Sequence, residues 1–188
     1  FEYIIKKMKT IILFQIITFI FAITLSDKVR REERQITDQK MIEKFLDEQS
    51  IIRIGYYDKE NDEVYIVPLN FGYMIKDQQY TFYMHGAKKG RRYELAKNKP
   101  NVGFEIDGNY ELISGGDIAC KHSAKYQSVI GNGILELLND TEEKKFALNI
   151  IMEHTTGRSG FEYNPKMLEN VGVYKLTATK LTCKAANL

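Results

Sequence analysis

Val64-Tyr65-Ile66-Val67-Pro68-Leu69-Asn70-Phe71-Gly72-Tyr73 is a run of β-branched and aromatic residues with a proline inside it. Pro68 has no N–H to give to a ladder, so this strand is expected at a sheet edge or a bulge, with backbone groups free to meet a ligand. Leu69 and Phe71 would add apolar contact and Asn70 a donor and an acceptor, a set that suits the rim of a flat heterocycle. The plainer alternative is an ordinary edge strand that tolerates its proline.

Working outward, residues 51–57 and 79–85 read as the flanking strands, and residues 58–62 and Asp77-Gln78 supply the turns between them. Further strands are expected at 102–106, 125–138 and 171–184, with Gly131 and Gly133 permitting a bend or bulge in the second of these. A helix beginning near Thr37 or Asp38 carries the stripe Met41, Ile42, Phe45 and Leu46, and a short one is expected over 91–98. Asp140 followed by Glu143 marks a third helix start, with Phe146, Ala147, Ile150 and Ile151 as its buried face. Strands outnumber helices and their connections are short, which predicts a mainly β (α+β) architecture: a small barrel with peripheral helices.

A chain of 188 residues, 44% of them hydrophobic, can bury one sizeable core, and one domain is expected over residues 30–188. With 27 Lys and Arg against 25 Asp and Glu, the net charge of +2 gives no whole-molecule field for a nucleic-acid partner, and any anion site must be local. Cys120 and Cys183 form no C-x-x-C pair and the three histidines lack ligand spacing, so no metal site is expected; a disulfide between the two cysteines stays open. Residues 1–29 are set apart from the domain. Lys6, Lys7 and Lys9 precede a hydrophobic stretch over 10–25, an order similar to a signal or anchor segment that could begin at Met8. It is shorter than the about 20 apolar residues a spanning helix needs, and a translation extended upstream of the true start is the other reading.

His85-Gly86-Ala87-Lys88-Lys89-Gly90-Arg91-Arg92 places four cations between a strand and a helix start. Cations at a helix N-terminus are disfavoured by about 0.3–1 kcal/mol each unless an anion is bound. A phosphate would reverse that sign: Gly86 and Gly90 would let backbone N–H groups approach it, and Arg91 or Arg92 could grip it with paired hydrogen bonds. The competing reading is a solvated basic turn. His85 titrates near neutrality and is a candidate proton donor or ligand-orienting group, or else a structural histidine. His154 is expected to face the core with a hydrogen bond, His122 to be exposed, and Cys120 to be a buried, inert thiol.

These segments together resemble the pyridoxamine 5'-phosphate oxidase-like FMN-binding split-barrel family, and within it the nitroimidazole-resistance branch. The likeness rests on Val67-Pro68-Leu69-Asn70-Phe71-Gly72-Tyr73, on the basic turn from His85 to Arg92, and on Asn98-Lys99-Pro100. It continues in Tyr126-Gln127-Ser128-Val129-Ile130-Gly131-Asn132-Gly133, then in the helix running from Glu142 to His154 with Thr155-Thr156-Gly157 after it. The resemblance implies a split β-barrel that dimerises, with FMN in a groove at the homodimer interface. It would place Val67, Pro68, Leu69 and Asn70 along the isoalloxazine, Met84, His85 and Gly86 at the strand end beside it, and Lys88, Lys89, Arg91 and Arg92 about the phosphate. The implied activity is that of a flavin-dependent oxidoreductase acting on a small flat acceptor such as a nitroimidazole; the alternative is a non-catalytic FMN-binding module. A cytoplasmic address follows if the N-terminal segment is not a signal or anchor.

Overall fold

The structure is a computed structural model and describes residues 29–187, so the hydrophobic N-terminal stretch and its basic flank lie outside the described residues. A short strand β1 (Gln35–Ile36) leads to helix α1 (Gln39–Asp47), whose first amides are capped by the Asp38 carboxylate: it accepts from Lys40 N at 2.8 Å and Met41 N at 3.2 Å. Then come β2 (Ile51–Asp58), β3 (Glu63–Lys76), β4 (Gln79–Ala87), α2 (Arg91–Ala96), β5 (Asn101–Ile113), β6 (Ser123–Leu138), α3 (Thr141–Thr156), α4 (Pro165–Asn170) and β7 (Val171–Ala186). No described helix is long and apolar enough to cross a membrane.

Every strand pairing is antiparallel, in the order β1-β7-β4-β3-β2-β5-β6, and a further pairing of β6 with β7 closes the sheet into a barrel. Closure works because β7 is long: residues 171–177 pair with β4, Lys184 and Cys183 with β1, and nearly its whole length with β6. A register shift at Asn132/Gly133 in the β6–β7 ladder puts the expected bulge where the glycines stand. The interior is filled by Ile52, Ile54, Phe71, Phe82, Met84, Phe104, Ile106, Leu135, Tyr174 and Leu176, with Ile42, Phe45 and Leu46 of α1 packed against them. A second cluster, with Tyr83, Ala147, Leu148, Ile151, Leu168 and Val173, lies under α3.

Several expectations change. Met41 is 43% exposed, so the stripe of α1 narrows to Ile42, Phe45 and Leu46. The buried face of α3 is Lys144, Ala147, Leu148 and Ile151, a strict i, i+3, i+4, i+7 row. Phe146 falls off that row, stays 52% exposed and meets Tyr83 edge-on at 6.1 Å. Lys144 is buried because its ammonium donates to the carbonyls of Leu168 (3.1 Å) and Val171 (3.4 Å), which pins α4 against α3. Strand β5 runs on to Ile113, well past the expected end at Ile106. Cys120 is exposed rather than buried and Cys183 is buried; both are free thiols.

Candidate functional site

The β3–β4 ladder begins at Phe71↔Met84 and runs from there to Lys76↔Gln79. Residues 63–70 of β3 instead pair only with β2, Pro68 standing opposite Arg53, and residues 85–87 of β4 pair only with β7. Beyond Phe71 and Met84 the two strands therefore separate, which leaves a cleft between Asn70 and its N-terminal neighbours on one side and His85 to Ala87 on the other. Pro68 sits where a missing N–H costs nothing on that open side.

Strand alternation divides the residues expected along this cleft. Val67 and Leu69 are half-buried and pack on the barrel core, whereas Pro68 and Asn70 are exposed on the opposite face. Asn70 donates its amide to Ser50 O at 3.1 Å. Met84 is fully buried in the core, so its side chain does not reach the cleft and only its backbone borders it. His85 lies on the outward face of β4. Partial desolvation by the surrounding protein, and then the positive charge of Arg92, hold its imidazole below the ordinary 6.5.

The basic turn caps this end of the barrel, and its four cations have separate fates. Lys88 reaches the carbonyl of Glu169 at 3.4 Å. Lys89 is exposed. Arg91 turns toward the β2–β3 hairpin: its Nε and Nη2 lie 2.8 and 2.7 Å from Oδ2 of Asp58, Nη2 also pairs with Glu63, and the guanidinium lies over the Tyr65 ring at 4.7 Å. Arg92 turns the other way. Its guanidinium lies over the Tyr174 ring at 5.1 Å, and its Nε is buried without a hydrogen-bond partner, as is the Tyr174 hydroxyl. No acidic group of the described residues pairs with it.

Two glycines permit this. Gly90 has φ +88°, a backbone state that favours glycine, and it turns the chain into α2. At Gly86 an added Cβ would collide with the Arg92 guanidinium, so the missing side chain is the space that guanidinium occupies. The helix itself contributes less than the sequence argument expected. With six residues α2 has fewer than two turns, so the macrodipole is short and an anion here must be held by side chains.

Asp58, Glu63, Tyr65 and Tyr174, which hold the two arginines of the turn, were not singled out by sequence reasoning. Asp58 was legible only as turn chemistry, and Tyr174 only as part of a terminal strand. His154 behaves as expected of a structural histidine: Nε2 is 2.8 Å from Gln49 O and the ring packs on Phe71 at 4.7 Å. His122 is exposed beside the Gly116 carbonyl. Two surface grooves of about 680 and 650 Å³, along α1 and α3 and beneath the β5–β6 extension, are lined by none of the residues of the cleft or turn.

A closed antiparallel barrel that splits beside a half-buried arginine with no acidic partner among the described residues defines the class: a split barrel with a basic turn at the cleft. A family model described as pyridoxamine 5'-phosphate oxidase matches residues 38–185, and the chain belongs to that family. A candidate 5-nitroimidazole antibiotic resistance protein from Bacteroides thetaiotaomicron VPI-5482 has a similar structure, with 30% identity, a TM-score of 0.68, and 80% of this chain and 86% of that one covered. A flavocytochrome from Azotobacter vinelandii shares the fold at 19% identity, TM-score 0.68, covering 87% and 76% of the two chains. An FAD and heme binding protein from Mycobacterium smegmatis does so at 13% identity, TM-score 0.69, covering 82% and 74%. Among curated proteins, none matches this chain.

Proposed function

We propose that this chain is an FMN-dependent oxidoreductase that takes small flat acceptors such as nitroimidazoles, with the flavin in the cleft where β3 leaves β4. The observation that carries the reading is Arg92: a guanidinium with a buried, unpartnered Nε, seated in the space that Gly86 leaves. An orphaned buried donor costs about 1–3 kcal/mol, so the site is suited to an anion that satisfies it. A flavin phosphate has the charge and the acceptor oxygens to do so, with Lys89 as the second cation free to approach. The open backbone edges at 64–70 and 85–87 suit the polar rim of an isoalloxazine. When bound, the flavin would supply the redox chemistry, passing electrons from a reduced donor to the acceptor.

The chain's own contribution is position and proton control. Asn70 is fixed by Ser50 and offers its side-chain oxygen at the cleft. His85 stays neutral near pH 7, because its surroundings and Arg92 oppose protonation, and it can hold a proton on one ring nitrogen and accept one on the other. The outer face of β3 beside the cleft is apolar, with Val64 69% and Ile66 62% exposed and Tyr57 of β2 facing Val64. A homodimer that covers this face would shelter the flavin from water. The 30% identical resistance protein favours nitroimidazoles as the acceptor class.

The test is the visible absorption of the purified protein after FMN is added, followed by anaerobic reduction with a nicotinamide donor and reoxidation by a nitroimidazole. Flavin uptake with turnover supports the enzyme. Uptake without turnover under any donor leaves a flavin-binding module, and no uptake overturns the reading.

A further inference from the structure

We infer that Asp58, acting through Arg91, is a positioning residue that gives the site its preference for a phosphorylated flavin; this rests on the function proposed above. Asp58 closes β2 and is only 3% exposed. Its Oδ1 accepts from Glu60 N at 3.1 Å, and its Oδ2 accepts from Asn61 Nδ2 at 3.0 Å and from Arg91 Nε at 2.8 Å. The hydrogen bonds from Asn61 and Arg91 hold its carboxyl below the usual carboxylate range, so it is charged wherever the protein is folded at neutral pH. Glu63 pairs with the same guanidinium and Tyr65 lies beneath it.

The arrangement turns Arg91 away from Arg92 and commits its charge to the hairpin, although its place in the sequence makes it as good a phosphate ligand as Arg92. Its charge is already neutralised by two carboxylates, and its Nε and Nη2 are engaged by them. What it does instead is set the turn. Gly90, the residue before α2, makes no side-chain cap hydrogen bond, so the entry to the helix lacks the usual anchor. The Arg91 bond to the β2–β3 hairpin supplies that anchor from another part of the barrel. Because Arg91 and Arg92 are consecutive, holding the first against the hairpin directs the second over Tyr174 and into the space at Gly86. One arginine is a fastening and the other is the ligand-binding group.

Removing the Asp58 charge would release Arg91 beside Arg92, and the phosphate would then meet a turn with no fixed orientation. The readout is the ratio of FMN to riboflavin affinity, measured by quenching of flavin fluorescence in wild type and Asp58→Asn. Asparagine keeps an acceptor for Glu60 N but loses the ion pair, and the preference for FMN is expected to fall by about tenfold or more while riboflavin binding stays within about twofold. An unchanged ratio overturns the inference and leaves the flavin reading standing. Equal loss of both flavins also overturns it, since that marks a merely structural role. A wild type that takes up neither flavin overturns the proposed function and this inference together. Should Asp58→Asn not fold, Glu63→Gln removes an exposed partner of the same guanidinium, and its ratio is held to the same outcomes.

Discussion

Arg92 lies over the ring of Tyr174 at 5.1 Å, and each residue brings one buried polar atom with no hydrogen bond to that contact. The ring faces the cation favourably, yet an unpaired phenol hydroxyl inside a barrel is a standing cost. Tyr174→Phe removes the hydroxyl and keeps the ring. In the flavin-free protein it is expected to raise the unfolding free energy by about 1 kcal/mol, read from urea melts. A loss of stability would mean that the hydroxyl has a partner in solution.

The space that Gly86 leaves is specific to the Arg92 side chain. Gly86→Ala would push a methyl group into the guanidinium, which can swing away because it is the far end of a flexible side chain. The fold is therefore expected to survive, with a circular dichroism spectrum like the wild type's. FMN affinity should fall by about tenfold or more as the phosphate loses its paired donors. Wild-type affinity in this variant would place the phosphate elsewhere.

His85 ties the site to pH. Its folded-state imidazole titrates below the ordinary 6.5, so between those two values the unfolded chain binds the proton and the folded chain does not. Its contribution to stability is thus complete above 6.5 and is lost as pH falls through the folded value. A phosphate on Arg92 would offset the charge that helps to depress it. FMN binding near pH 6 is accordingly expected to take up protons and to raise the His85 titration midpoint, followed by NMR of the ring hydrogens with and without FMN. A midpoint that FMN leaves unmoved would separate His85 from the site.

Much of the barrel was legible because strand periodicity is local. Residues 51–57, 63–73 and 79–85 carry their turns beside them, and Pro68 announced the open edge. The division of the site was not legible, because it depends on which way consecutive side chains point across the barrel. Arg91 and Arg92 are chemically alike in sequence; only the arrival of Asp58 and Glu63 on one side and Gly86 and Tyr174 on the other tells them apart. Alternation also put Val67 and Leu69 against the core while Pro68 and Asn70 face out, so of the four candidate residues two present side chains on the cleft's outer face. On α3 the reading erred at Phe146, an aromatic taken as part of the buried face, and left out Lys144, which is buried. Lys144 is buried because carbonyls at the end of α4 receive its ammonium, a partner no local pattern reveals.

The most direct measurement is FMN titration of wild type, Arg92→Ala and Arg91→Ala, followed by the flavin absorption and fluorescence. The expected result is that wild type binds and Arg92→Ala loses affinity by about 100-fold, the loss of a charge-assisted pair of hydrogen bonds, with its urea midpoint little changed. Arg91→Ala should lower the urea midpoint, because it leaves the Asp58 carboxylate without its cation, and should lower FMN affinity by about tenfold as the turn loses its fastening, a smaller loss than that of Arg92→Ala. Wild-type FMN affinity in Arg92→Ala would contradict the account, since the guanidinium with a buried, unpartnered Nε would then not be where the phosphate binds.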